Sequence, residues 1–224
     1  ELAFGIISNK TILEFYPTEE GERITVNCDS KEKIENNMFI AGEGGIRNAT
    51  KSGDFYVIKK GTVLLRRDSK CSSPNVAIHE LLHSMGFKHS ENRGNIMYPV
   101  TNCNQEIGED IPNLINKLYE TPSRPDLSLE EAQAEINKRF LDLEVTIKNN
   151  GLIEAEPSEL KVYADDSEVK KIEIDSLKIG QGLKISSTGI WISQFNVEEI
   201  KIEISSNMKE ITKENNELLL TVKN

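Results

Sequence analysis

All three histidines of the chain lie in one short segment, HELLHSMGFKH, which runs from His79 to His89. His79 and His83 are four residues apart, so on a helix they share one face and can bind the same metal ion. Gly86 marks the expected end of that helix, because glycine takes the positive φ that turns the chain, and the turn brings His89 back to the same ion. Three neutral imidazoles leave a fourth position for water, as in catalytic rather than structural zinc sites. We therefore predict that His79, His83 and His89 bind Zn²⁺.

Glu80 follows the first of these histidines and is expected to project beside the water rather than onto the metal. A carboxylate in that place can take the proton of the water during attack on a carbonyl carbon and then deliver it to the departing amine. Zinc would lower the pKa of the water and stabilise the developing oxyanion. The HExxH pattern alone occurs by chance, but here all three histidines of the chain, with Glu80 and Gly86, fit the longer pattern HExxHxxGxxH. The sequence therefore predicts that Glu80 is the general base of a zinc hydrolase.

Three downstream segments extend the pattern. Ser90 directly follows the third histidine, the segment 95–99 reads NIMYP, and the segment 109–119 reads EDIPNLINKLY. Together with HExxHxxGxxH, these segments resemble the metzincin metallopeptidases and, within them, matrixins of a minimal prokaryotic or archaeal type. The resemblance is clear over residues 55–120. It implies that Met97 forms the Met-turn beneath the zinc-binding imidazoles, and that the substrate is a polypeptide held in an extended conformation against an exposed sheet edge.

The chain changes character near its middle. The segment 121–126, TPSRPD, has two prolines and no apolar residue, which is typical of a short linker. All three histidines and all three cysteines precede it. We expect a catalytic domain over residues 1–120, a linker and short helix over 121–140, and a β-sandwich over 141–224. The helix is predicted from about 129 to 139, because Ser128-Leu129-Glu130-Glu131 forms a capping-box pattern.

Beyond residue 140, apolar residues alternate with polar ones, beginning with Leu141, Leu143, Val145 and Ile147. Further alternating runs lie at 160–164, 171–174, 183–186, 190–195, 200–204 and 218–222. About seven short strands favour a sandwich of two sheets. The sequences LEVTIKNNG, LKVYADD and EITKENNELLLTV resemble a CARDB-type, immunoglobulin-like module. We expect Trp191 to lie in its core.

Upstream of the histidine segment, apolar runs predict strands at 2–7, 12–16, 24–28, 55–58 and 63–67, and a helix within 29–39. The glycine-rich residues 42–45 are expected to form a loop. The whole chain is therefore predicted to be of the α+β class. It would comprise a small metzincin-like catalytic domain, with a twisted mixed sheet, an active-site helix and a C-terminal helix, followed by an all-β immunoglobulin-like sandwich.

The three cysteines bear on the cellular compartment. Cys71 lies just before the expected active-site helix and Cys103 lies six residues after Met97, so both belong near the same region. We predict a Cys71–Cys103 disulfide and a free, buried Cys28. Because a disulfide is typical of an oxidising compartment, we expect a secreted or cell-surface protein.

Composition argues against several kinds of partner. With 27 Lys and Arg against 37 Asp and Glu, the formal net charge is -10, which argues against nucleic acid. The apolar runs are far shorter than the ~20 residues that cross a bilayer. We expect a monomer whose sandwich positions or tethers a zinc endopeptidase. Two alternatives stay open: a catalytically weak zinc-binding adhesion or interaction protein, and a zinc amidase acting on a non-protein substrate.

Overall fold

Residues 1–35, 37–66 and 71–222 are described by the structure, which is a computed structural model. The chain forms two units, one of Glu1–Thr50 with Val57–Thr121 and one of Lys51–Tyr56 with Pro122–Asn224. Within the described residues, helices occur in the first unit and the second is built from strands, which confirms the α+β class. No helix in these ranges is long and apolar enough to cross a membrane.

In the part of the first unit that the structure describes, three helices are combined with a small sheet. Its elements are α1 (Leu2–Lys10), β1 (Ile24–Cys28), β2 (Ile34–Glu35), β3 (Met38–Phe39), β4 (Gly42–Ser52), β5 (Phe55–Leu65), α2 (Asn75–Ser84) and α3 (Asp110–Tyr119). The sheet order is β1-β5-β4, with β1 parallel to β5 and with β4 and β5 joined as a hairpin. Strand β4 is therefore an edge strand. The core gathers apolar side chains from all three helices, among them Ile7, Leu82 and Ile111.

Two predictions for the N-terminal segment were wrong. Residues 2–7 form the first two turns of α1 rather than a strand, because Ala3 and Ile7, four residues apart, are buried in the same core as Leu82 of α2. Residues 12–16 have no strand partner. Apolar and polar residues do alternate in this segment. The ring of Phe15 nevertheless packs against Phe4, with ring centroids 4.8 Å apart, and not in a sheet.

The sheet itself differs from the prediction in three places. The expected helix within 29–39 is replaced by the two short strands β2 and β3, and Asn36 between them lies outside the described residues. The glycine-rich residues 42–45 begin β4 instead of forming a loop. The predicted strands 55–58 and 63–67 are one continuous strand, β5, although Arg67 lies outside the described residues. The strand predicted at Ile24–Cys28 is confirmed.

The second unit is a sandwich in which residues up to 222 form seven strands. They are β6 (Leu127–Asn137), β7 (Phe140–Asn149), β8 (Ser158–Ala164), β9 (Ser167–Ile174), β10 (Gly182–Trp191), β11 (Glu199–Ser205) and β12 (Glu217–Thr221). One sheet has the order β10-β7-β6 and the other the order β12-β11-β8-β9. Alternate residues of both sheets, such as Leu143, Val162 and Ile202, meet in a single buried core. The predicted sandwich is thereby confirmed.

The helix predicted at about 129 to 139 is wrong, because these residues form β6. Ala132, Ala134 and Ile136 are partly buried against the core, whereas the residues between them are exposed, so the burial has a period of two. Pairing with β7 along most of the strand overrides the helix propensity of alanine and glutamate. The capping-box pattern therefore gave a misleading helix signal.

The prediction that Trp191 lies in the core is also wrong. The expected run 183–186 and the first two residues of the run 190–195 form the single strand β10, and residues 192–195 lie beyond its end. The pairing of β10 with β7 is irregular between Ser187 and Ile190. After this irregularity, Ile190 is buried and Trp191, which pairs with Phe140 of β7, faces outward. The side chain of Trp191 is 56% exposed.

Candidate metal centre

Helix α2 carries the first two histidines and is fixed at its start. Its N-cap is Pro74. The buried Asn75 donates its side-chain amide to the carbonyl oxygens of Asn102 at 2.7 Å and Gln105 at 3.2 Å. The helix is therefore held on the loop that precedes α3. Its inner face contributes Ile78, Leu81 and Leu82 to the core of the first unit.

Backbone carbonyls orient the two imidazoles of α2. Nδ1 of His79 donates to the Ile96 oxygen and Nδ1 of His83 donates to the Phe87 oxygen, each at 2.7 Å. A carbonyl oxygen can only accept, so the proton of each neutral ring lies on Nδ1 and the lone pair lies on Nε2. Outer hydrogen bonds of this kind hold metal-ligating histidines in place.

Gly86 turns the chain after α2, as the spacing predicted. Its φ is +96°, and the N–H of Phe87 donates to the carbonyl of Leu82 at 3.0 Å, which closes the helix end. His89 then returns to the helix, and its Nε2 lies 3.0 Å from Nε2 of His83. The three histidines form a cluster whose ring nitrogens lie within 4.8 Å of one another and could hold a metal ion.

The fit of these residues to a metal ion can be tested on the ring nitrogens themselves. Nε2 of His79 lies 3.0 Å from Nε2 of His83. Because both protons lie on Nδ1, two lone pairs face each other without a hydrogen between them, and this arrangement is repulsive unless a cation accepts both. Ligand nitrogens ~2.0–2.1 Å from a tetrahedral zinc are about 3.3 Å apart, close to the observed spacing. The donor set therefore fits a metal such as zinc.

Burial keeps these rings neutral. His79 is 4% exposed, and burial lowers its pKa to about 4, against the opposing hydrogen bond to Ile96. Burial also lowers the pKa of His83. Metal ligation requires neutral imidazole, so both rings are already in the form that binds a cation at neutral pH.

Glu80 lies on α2 beside the first ligand and is 8% exposed. Burial raises the pKa of its carboxyl group to about 7, and the negative charge of Glu43 raises it further, whereas a hydrogen bond from the backbone N–H of Gly44 lowers it. A general base works best with a pKa near the operating pH. The environment of Glu80 meets this requirement through desolvation.

The edge strand β4 approaches Glu80 through two glycines. A Cβ atom at Gly42 would lie 2.7 Å from Cγ of Glu80, and one at Gly44 would lie 2.1 Å from the carbonyl oxygen of Glu80. Only glycine permits such an approach of a strand to a helix. This role was not predicted, because residues 42–45 were expected to form a loop, although the alternate spacing of Gly42 and Gly44 was a signal for it.

The segment around Met97 joins the histidine cluster to α3. Met97 is 2% exposed and belongs to the core, and its carbonyl oxygen accepts the N–H of Ser90, the residue after the third histidine. The side chain of the buried Asn95, not singled out from the sequence, accepts the N–H of Met97 at 2.8 Å. The same side chain donates to the carboxylate of Asp110 at 2.9 Å. This turn also supplies the Ile96 carbonyl that orients His79.

The cysteines divide into one pair and one free thiol. Cys71 and Cys103 form a disulfide with their Cα atoms 5.1 Å apart, so the residues before α2 are tied to the loop after Met97. Cys28 is free at the end of β1, but it is exposed and not buried as expected. The metal cluster consists of histidines alone among the described residues.

The family model of the matrixins matches residues 1–120, more than half of the chain. The chain belongs to the matrixin family. In this matrixin, the matched residues include α1 and the sheet, where the sequence motifs were weakest, and they end just after α3. A second family model, CARDB, matches residues 124–219.

Solved structures resemble the second unit of this matrixin. The CARDB domain of a Pyrococcus furiosus protein, crystallised in complex with di-metal ions, is 19% identical with a TM-score of 0.38 and covers 46% of this chain and 96% of its own. A domain of a Methanosarcina acetivorans protein is 17% identical with a TM-score of 0.37 and covers 44% of this chain and 92% of its own. The comparison with curated proteins found no match.

Proposed function

We propose that the chain is a zinc-dependent endopeptidase in which His79, His83 and His89 bind the metal and Glu80 is the general base. The observation that carries this proposal is the pair of Nε2 lone pairs that face each other 3.0 Å apart, with the buried Glu80 next to them in the chain. A cation between the two nitrogens would accept both lone pairs and so remove their repulsion. A carboxyl group with a raised pKa beside that cation serves proton transfer.

The metal and the residues of this site would have separate chemical roles. A bound zinc ion supplies Lewis acidity, which makes a nucleophile available at neutral pH and stabilises negative charge on the attacked carbonyl. Glu80 takes a proton from the attacking water and delivers it to the departing amine, so that no free amide anion forms. The carbonyls of Ile96 and Phe87 keep the Nδ1 protons in place and thus hold the imidazoles in the ligating tautomer.

The edge strand β4 supports an extended polypeptide as the substrate. It stands at the end of the sheet order, so one side of its backbone has no neighbouring strand among the described residues. Strand addition at such an edge uses backbone hydrogen bonds for affinity. Gly42 and Gly44 bring this edge close to Glu80, so a peptide paired with β4 would pass beside the general base.

We also propose that the two halves of the chain have different roles. Residues 1–120 would act as the catalytic domain, and residues 141–224, with the corrected strand β6 before them, as a CARDB-like module that positions or tethers it. The Cys71–Cys103 disulfide supports an oxidising, secreted or cell-surface location. A monomer stays our expectation.

The test is hydrolysis of unfolded casein by the full chain, with and without a chelator, followed by addition of zinc. Glu80→Gln should lower the rate about 10²–10⁴-fold and leave one metal ion per chain by elemental analysis. Glu91→Gln is the matched control, because Glu91 is an exposed carboxylate two residues beyond the third histidine. Stoichiometric metal without casein cleavage would favour an adhesion protein or an amidase with a non-protein substrate. Full activity of Glu80→Gln with metal in place would contradict the role of Glu80.

A further inference from the structure

Strand β4 begins in the first unit and ends in the second. Its residues up to Thr50 belong to the first unit, and residues 51–56, which include the turn into β5, belong to the second. The same strand carries Gly42 and Gly44, which lie against Glu80 at the candidate metal centre. Each unit therefore contains a part of the strand that is proposed to bind the peptide.

Between its two ends, β4 has little support. Its residues 46–49 are exposed. Strand β1 pairs with β5 from Gly61 onward, so among the described residues the hairpin nearer the turn consists of β4 and β5 alone. A two-stranded hairpin is only marginally stable in water. This part of β4 therefore depends on the contacts made at its ends.

Ser52, the last residue of β4, fixes the end at the turn. Its side chain is 0% exposed, and its hydroxyl group donates to the carbonyl oxygen of Gly151 at 2.6 Å. The carbonyl oxygen of Asn149 lies 3.3 Å from the same hydroxyl group. Ser52 and these two partners all belong to the second unit. Because a buried carbonyl that loses its donor costs free energy, these contacts hold the turn in place.

Gly53, the next residue, permits the turn to approach the same loop. Its φ is +53°, a conformation that residues with a side chain rarely adopt. A Cβ atom at this position would lie 3.0 Å from the carbonyl oxygen of Asn150. We name Ser52 and Gly53 the hairpin anchor.

The loop that receives the hairpin anchor is held by one buried amide. The side chain of Asn149, which is 0% exposed, accepts the N–H groups of Asp126 at 3.2 Å and Gly151 at 2.9 Å. It also donates to the carbonyl oxygens of Ile153 at 2.8 Å and Leu177 at 2.9 Å. All four hydrogen-bonding positions of this amide are used. The hairpin anchor therefore meets a loop that is fixed within the sandwich.

We infer that the sandwich, through the hairpin anchor, holds β4 in the conformation that pairs with a peptide substrate, and that Ser52 is a positioning residue for hydrolysis. This role of Ser52 rests on the proposed function, because it needs β4 to be the substrate-binding edge. An edge strand that is ordered in advance lowers the entropic cost of binding a peptide. Ser52 acts through the strand and not on the reacting groups, so it should affect KM rather than kcat.

Hydrogen exchange of the chelated full chain measures the ordering of β4 without any need for activity. Ser52→Ala should raise the exchange rates of the β4 amides, including those of residues 42–45, about 3- to 30-fold, because the loss of one buried hydrogen bond favours local opening. Exchange in α3 should stay unchanged. Unchanged exchange in β4 would overturn the inference. Acceleration confined to residues 50–56 would also overturn it, because the hairpin anchor would then act on the turn alone.

Gly53→Ala is a second variant with the same expected result, since its new Cβ would press on the carbonyl oxygen of Asn150. Gly21→Ala is the matched control, because Gly21 also has a positive φ, of +70°, but no atom lies within 4 Å of its Cβ position. The β4 amides of this control should exchange at the rate of the unmodified chain. Equal acceleration in Gly21→Ala would overturn the inference, because backbone strain alone would then explain the effect.

The zinc-loaded full chain gives the kinetic test with a peptide derived from casein. In the double variant Ser52→Ala with Gly53→Ala, KM should rise about 3- to 30-fold, since the apparent affinity falls with the populated fraction of the ordered strand. The kcat value and the zinc content should stay unchanged. A decrease in kcat at unchanged KM would overturn the positioning role. Faster exchange in Ser52→Ala, together with an unmodified chain that hydrolyses no peptide, would refute the proposed function alone.

Discussion

His79 and Glu80 are neighbours in the chain, and burial moves their pKa values in opposite directions. The imidazole has its pKa lowered to about 4 and the carboxyl group has its pKa raised to about 7. In both cases the low-dielectric surroundings favour the neutral form. His79 and Glu80 are therefore both neutral between about pH 4 and about pH 7 in the metal-free protein.

These two shifts predict how the stability of the metal-free protein depends on pH. The stability contributed by His79 is complete above the unfolded pKa of 6.5 and is lost as the pH falls towards about 4. That contributed by Glu80 is complete below the unfolded pKa of 4.5 and is lost as the pH rises towards about 7. The two contributions oppose each other in the unmodified chain. Glu80→Gln removes the contribution of Glu80. The loss of stability that His79 causes as the pH falls then remains unopposed.

The measurement is the Tm of the chelated protein at several pH values from 7 to 4. As the pH falls, the Tm of Glu80→Gln should decrease more steeply than that of the unmodified chain. Other carboxylates, such as Glu43 with its pKa lowered by the hydrogen bond from Arg66, titrate in both proteins and cancel in the difference. If the Tm of the two proteins decreased equally with pH, the opposite pKa shifts of His79 and Glu80 would be contradicted.

The residues of the site were predicted to different degrees. Spacing along the chain was enough to predict that His79, His83 and His89 form a cluster. Helix geometry alone brings residues i and i+4 together, and a glycine turns the chain so that the third histidine returns to them. The carbonyls of Ile96 and Phe87 could not be predicted, because every residue has a carbonyl and its direction depends on the fold. Trp191 was misplaced, because the irregularity in β10 is not visible in the alternation of its residues.

At the scale of elements, the contact of β4 with α2 depends on the absence of a side chain. In Gly44→Ala the new Cβ would lie 2.1 Å from the carbonyl oxygen of Glu80, so the strand or the helix must shift. We expect a loss of about 1–3 kcal/mol in the free energy of unfolding and a lower rate of casein hydrolysis. Gly45→Ala on the same strand is the control, because no atom lies within 4 Å of its Cβ position. Equal stability of the two variants would disprove the close contact.

The disulfide gives a second prediction for the elements. It closes a chain segment with a sequence separation of 32 that contains α2 and the Met97 turn. Cys71→Ser with Cys103→Ser should lower the free energy of unfolding by about 3–4 kcal/mol, because the unfolded chain gains the freedom of this loop. Urea denaturation measures the change. Labelling of all three cysteines of the unmodified chain by a thiol reagent without reductant would show that the bridge is absent.

Elements with long-range partners were the hardest to predict. The alternation of β7 and β11 was recognised because their apolar residues are large and their spacing is regular. Strand β6 was predicted as a helix, since its inward residues include two alanines that signal a helix when read locally. Helix α1 was predicted as a strand, because its short apolar run fits both periods and only packing on α2 decides between them.

At the scale of the whole molecule, each unit has a hydrophobic core of its own. The core of the first unit includes Met97 and the apolar face of α2, and that of the second unit lies between the two sheets. The candidate metal ligands belong to the first unit alone. A ligand stabilises the unit that binds it in proportion to the logarithm of its concentration over its dissociation constant.

Removal of the metal should therefore change only one part of the unfolding profile. We expect two calorimetric transitions, of which one moves to lower temperature when zinc is chelated. The transition followed by Trp191 fluorescence, which reports on the second unit, should stay at the same temperature within about 1–2 °C, below the shift that a loss of 1 kcal/mol produces. An equal shift of both transitions would contradict the expectation that the metal stabilises the first unit alone.

The exposed thiol at the end of β1 makes the molecule convenient for spectroscopy. Because Cys71 and Cys103 are bonded to each other, Cys28 is the one attachment point for a maleimide dye, and it belongs to the unit that lacks the tryptophan. The native sequence thus supplies an energy-transfer donor in one unit and a labelling position in the other. The distance between the two units can therefore be measured in solution without engineering a single residue.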